Sequence, residues 1–147
     1  MRLTLEHLHL AAIAALFLLV GASGAHAAGT TANVGISDGW FRALPPSVPS
    51  GGYFTLRNGS GAAVTLTGVE SPGCGSMMMH RSGPGGMEHI SELTMPAGGT
   101  QAFAPGGYHL MCMASRLTPG ASVPVTLIFK DGGKVTVPFE VRSATGK

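Results

Sequence analysis

The sequence predicts an all-β domain, a Greek-key β-sandwich or barrel, and three observations point there. Apolar and polar residues alternate with a period of two, turn residues separate the alternating segments, and nothing beyond residue 27 shows a helical period. The clearest case is the pair 123–129 and 135–141, apolar at odd positions and joined by Asp131-Gly132-Gly133. That turn suits positive φ, so the two segments read as a β-hairpin. Residues 53–58 and 64–69 read as a second pair, linked through Asn58-Gly59-Ser60-Gly61. Further strands are expected over 35–42, 77–81, 88–93, 101–103 and 108–115. Glycine (23) and proline (10) are abundant while 44% of residues are apolar, a balance that fits short strands and tight turns rather than disorder.

The first 27 residues read as a separate unit. Arg2 is followed by an uninterrupted apolar run over 10–20, small residues at 21–24 and the triplet Ala25-His26-Ala27. A charged start, a short apolar run and an A-x-A site make a cleavable secretory signal, with the cut after Ala27. The run is too short to span a bilayer comfortably. No cysteine lies near the cut, so no lipid anchor is expected. The domain is then residues 28–147, exported to the periplasm as a soluble protein and expected to act as a monomer. That length suffices for one domain with one core.

The formal net charge is +2, and basic residues such as Arg42, Arg57 and Lys130 are scattered. No basic run points to nucleic acid and no acidic tail to a cationic partner. The two cysteines are Cys74 and Cys112. Export favours a disulfide between them, the alternative being thiolate ligation of a metal.

The chemistry concentrates in residues 77–113. Apart from the initiator, all of the eight methionines fall there, and so do His80, His89 and His109. Along Tyr108-His109-Leu110-Met111-Cys112-Met113, successive side chains point to opposite faces. Tyr108, Leu110 and Cys112 take the core face, leaving His109, Met111 and Met113 on a face free to be exposed. An imidazole and a thioether two residues apart on one strand face reach the same ion. Thioethers are poor ligands for zinc, magnesium or calcium and suit Cu(I). A neutral His/Met set also favours the monovalent ion, and unlike thiolates it forms no disulfide outside the cytoplasm. His89 reads as a solvated histidine, Met95 and Trp40 as core residues. The sequence leaves open whether His89, Met113 or Met77 to Met79 hold a second copper.

These residues resemble a family. His80, Met87 and His109-Leu110-Met111, entered through Pro105-Gly106-Gly107-Tyr108, are similar to the signature of PCu(A)C-type exported copper chaperones: a histidine, a methionine, 21 residues, then H-x-M. Pro96-Ala97-Gly98-Gly99, Trp40-Phe41-Arg42-Ala43 and Tyr53-Phe54-Thr55-Leu56-Arg57-Asn58 match as well. In the family the first histidine stands farther ahead of the methionine; here only Arg81 to Gly86 intervene. The resemblance implies a metal site of His80, Met87, His109 and Met111. It also implies delivery of Cu(I) to the copper centre of cytochrome c oxidase, with a Sco-like thiol protein as a possible second partner.

Three other readings compete. A storage or resistance protein would use the same ligands. A blue-copper electron carrier would share the cupredoxin-like fold expected here but needs a cysteine thiolate beside two histidines. A structural β-domain would bind no copper. No Ser/His/Asp or paired-carboxylate arrangement stands out, so no enzyme is expected.

Overall fold

The computed structural model describes residues 30–147; the expected signal segment and its cut lie outside the described residues. A single 3-10 turn, Thr30–Asn33, precedes ten strands. They are β1 (Val34–Arg42), β2 (Ser50–Asn58), β3 (Val64–Glu70), β4 (Ser76–Gly83), β5 (Gly86–Ile90), β6 (Leu93–Met95), β7 (Thr100–Phe103), β8 (Tyr108–Met113), β9 (Ser122–Phe129) and β10 (Lys134–Arg142). All ten join one sheet in the order β5-β4-β8-β7-β2-β1-β10-β9-β3-β6. Because β3 lies against β4, that sheet nearly closes into a barrel. Pairing is antiparallel except for β1 with β10 and β7 with β8. The all-β expectation holds.

Period-two alternation works as anticipated in the β9–β10 hairpin. Val125 and Leu127 are fully buried and register against Val137 and Val135. Gly132 closes the turn at φ 83°, a conformation that costs a residue bearing Cβ. Inside the barrel Phe41, Leu56, Leu66, Leu110 and Phe139 are fully buried. Phe54 stacks on Phe103 with centroids 4.2 Å apart. The disulfide forms: Cys74, just before β4, is bonded to Cys112 of β8.

Three local readings are corrected. Residues 53–58 and 64–69 do not pair with each other: β2 pairs with β1, β7 and β8, and β3 with β6 and β9. The link between them is a corner organised by the fully buried Asn58. Its amide donates to the carbonyls of Ala62 (2.7 Å), Met95 (3.2 Å) and Pro96 (3.0 Å), which turns the chain to the other wall. Residues 88–93 are not one strand; β5 ends at Ile90, and Leu93 begins β6, which crosses to β3. Trp40 is not a core residue. A register shift between Ser37 and Trp40, with Asp38 at φ 56°, sends Phe41 inward instead. Trp40 packs 4.6 Å from the Tyr53 ring, with the Arg142 guanidinium 4.8 Å above it.

Candidate metal centre

The short segment between His80 and Met87 is the tip of a regular hairpin. Ser82 pairs with Met87 and Gly83 with Gly86, leaving Pro84-Gly85 as the turn. Gly86 sits at φ 105°, a region that residues with Cβ rarely enter. Arg81 and Glu88 close the hairpin's other face with a 2.7 Å ion pair. This register makes Met87 the diagonal neighbour of His80, and Met87 Sδ lies 3.1 Å from His80 Nδ1. Two donors on one tetrahedral ion stand about 3.5 Å apart, given metal–nitrogen and metal–sulfur lengths near 2.0 and 2.3 Å. A shift of a few tenths of an ångström therefore suffices to bind an ion between them.

On its other side β4 pairs with β8, and His80 falls directly opposite His109. Their rings meet edge to face with centroids 5.9 Å apart. Met78 falls opposite Met111, so Met78-x-His80 runs antiparallel against His109-x-Met111. The structure brings His80, Met87, His109 and Met111 onto one sheet face. Met113 shares that face farther along, opposite Ser76. Met79 and Met95 are core residues, each 3% exposed.

His109 departs from its expected exposure, at only 6%. The reason is the neighbouring strand: β2 pairs with β8 through Gly51–Met111 and Gly52–Leu110. A cavity of about 400 Å3 remains, lined by Arg42, Tyr53, Met87, Pro105, His109 and Met111 among others. Gly51 helps keep it open, since a Cβ there would collide with the Tyr53 hydroxyl. His109 Nδ1 donates to the Gly107 carbonyl at 2.9 Å. A carbonyl only accepts, so Nδ1 carries the hydrogen and Nε2 keeps its lone pair for a ligand. Burial, then the nearby His109 and His89 rings, push the His80 pKa below its ordinary value. Both effects favour the neutral ring, the form that binds metals. Arg42 adds a cation to the cavity wall, and its Nε is buried with no hydrogen-bond partner among the described residues.

Sequence reasoning placed Met78 only among the residues open to a second copper, and it missed Arg42, Gly51 and the Gly107 carbonyl. Met78 had a signal, as M-x-H mirrors H-x-M; Arg42 and Gly51 depend on strands distant in sequence, and the Gly107 contact on the local backbone path into β8. The disulfide bears on the blue-copper reading. Both cysteines of the chain are bonded to each other, so neither supplies the thiolate such a centre requires.

Comparison with known proteins places this geometry in a family. The Leifsonia xyli subsp. xyli protein Lxx21020, whose name calls it a lipoprotein, is 31% identical over 120 residues, covering 77% of this chain and 72% of the relative. The Cu(I) form of DR1885 from Deinococcus radiodurans is 33% identical with a TM-score of 0.60, covering 82% of this chain and 83% of that one. The copper-bound PCuAC domain of PmoF2 shares the fold, at 24% identity and a TM-score of 0.66 over 76% of this chain and 93% of that domain. With the LpqE-like family model matching residues 34–141, nearly the whole barrel, the chain belongs to the LpqE-like family of PCuAC-type domains.

Proposed function

We propose that this protein is a copper chaperone that binds Cu(I) through His80, Met87, His109 and Met111. The observation that carries the reading is that two thioethers and two imidazoles meet on one sheet face. Three of the four line a single cavity, and the fourth, His80, sits 3.1 Å from Met87. Four neutral, soft donors suit a monovalent copper ion and offer little to hard or strongly charged ones. Support also comes from the solved relatives named for their copper-bound forms. The site suits transfer because its donors differ in accessibility. Met87 is 58% exposed, so an incoming partner displaces it first, while His109 holds the ion from within.

In this reading the protein works in the periplasm as a monomer. It passes Cu(I) by ligand exchange to the copper centre of cytochrome c oxidase, with a Sco-like thiol protein as a further partner. Only metal–ligand bonds are exchanged and no covalent bond of either protein is broken, so the transfer itself requires no enzymatic group. The test is a Cu(I) titration against a chromophoric chelator, repeated with Cu(II) and with the double variant His109→Asn/Met111→Leu. Tight Cu(I) binding by the native chain, lost in a variant that stays folded by circular dichroism, is the expected result. Undiminished binding in that folded variant contradicts the site. Delivery is tested by deleting the gene and measuring copper in the oxidase; a fully loaded oxidase contradicts the recipient.

A further inference from the structure

The four residues of the proposed site leave part of their own sheet face unused. Across β5, β4 and β8 that face is a grid. His89, His80 and His109 form one row, and Met78 and Met111 lie in the next. Within the row the ring centroids are 5.7 Å apart from His89 to His80 and 5.9 Å from His80 to His109. His80 is thus flanked almost symmetrically by two imidazoles, of which the main site uses only His109.

On the other flank, Met78 and His89 are diagonal neighbours on adjacent strands, a relation within reach of long side chains. Both line a second cavity of about 190 Å3, where the hairpin edge meets Thr67, Gly68 and Val69 of β3. His89 is exposed, and its ring has no hydrogen-bond partner among the described residues. Met77 and Met79 also line that cavity, but alternation puts them on the core face of β4. Met79 is 3% exposed inside the core, Met77 packs against the core opposite Cys112, and Met113 lies beyond Met111.

We propose that Met78 and His89 form a second site for a soft monovalent cation at the edge of the sheet, with His80 as a third ligand only while the main site is empty. The proposal rests on the copper reading of the neighbouring residues. An imidazole and a thioether again make a neutral donor set suited to a soft monovalent ion. This site is the weaker one. With the main site filled it has two donors instead of four, because the single lone pair of the neutral His80 ring is taken, and His89 lacks the backbone hydrogen bond that orients His109. An ion moves between the sites by ligand exchange at constant oxidation state. With the main site empty, bonds to Met78 and His89 break as bonds to Met87, His109 and Met111 form, with His80 attached throughout.

The experiment titrates the mature protein with Ag(I), a redox-stable monovalent soft ion. Stoichiometry is read by native mass spectrometry, and the imidazole and methionine-methyl resonances by NMR. Two equivalents are expected, the first moving His109 and Met111 and the second moving His89 and Met78. In the Met78→Leu/His89→Asn variant the stoichiometry falls from two to one while the first equivalent is retained. Saturation of the native protein at one equivalent overturns the proposal. So does a second equivalent that persists unchanged in that variant. Failure of the main site is separately visible, because it leaves the His109→Asn/Met111→Leu variant with the first equivalent intact.

Discussion

His109 and Met111 sit two residues apart on β8, yet their surroundings divide the work between them. The Gly107 carbonyl holds His109 in one tautomer and burial restricts its motion, whereas Met111 lies half-buried opposite Gly51. Arg42 has a different effect. A fixed cation in the cavity wall opposes any entering metal ion, and opposes a dication about twice as strongly as a monocation. Arg42→Gln is therefore expected to strengthen Cu(II) binding more than Cu(I) binding; parallel titrations that show an unchanged Cu(II)/Cu(I) ratio contradict this role. Asn58 shows how one residue directs a fold. Its fully buried amide donates to carbonyls of three residues at the corner. Asn58→Ala leaves those carbonyls short of donors and is expected to cost about 3 kcal/mol, measured by urea denaturation. A loss within experimental error would mean that water replaces the amide.

At the scale of the element, the β4–β5 hairpin and β8 act together as the metal-bearing surface. The hairpin's tight tip sets Met87 against His80, and β8 is tied down by its bond from Cys112 to Cys74. That disulfide spans 38 residues of chain. Closing a loop of that length removes roughly 4 kcal/mol of unfolded-state entropy in the chain-entropy model. Replacing both cysteines by alanine is expected to lower denaturant stability by about 2–4 kcal/mol. Cu(I) affinity should fall with it, because Cys112 is the residue next to Met111 on the strand. An unchanged midpoint would show that packing of β8 against β2 and β4 suffices.

For the molecule as a whole, the site lies where strands from both ends of the chain's middle segment converge, so metal binding and folding are linked. An ion that binds only the folded state stabilises it by about 2.7 kcal/mol at a free concentration a hundredfold above Kd. For a domain of this size that corresponds to a rise in Tm of roughly 10 °C. Cu(I) is expected to raise the melting temperature in calorimetry, and a chelator to reverse the rise. A Tm indifferent to Cu(I) would mean that the four residues are not joined by an ion. Among the described residues no helix is long and apolar enough to cross a membrane.

The sequence by itself determined what depends on neighbours along the chain. Alternation assigned Leu110 and Cys112 to the core and Met111 to the opposite face, since a strand's side chains alternate whatever it pairs with. The turn at Gly132 and the β9–β10 register were legible for the same local reason. The types of donor, thioether and imidazole, already selected the class of ion. The tertiary structure decided which strands are neighbours. It set β4 between β5 and β8, which puts His80 at the centre of a histidine row, and it laid β2 over the flank of His109. It also turned Trp40 outward through a bulge and sent β3 away from β2 at Asn58. These outcomes follow from burial summed over segments far apart in sequence, and a period of two within one strand carries no record of them.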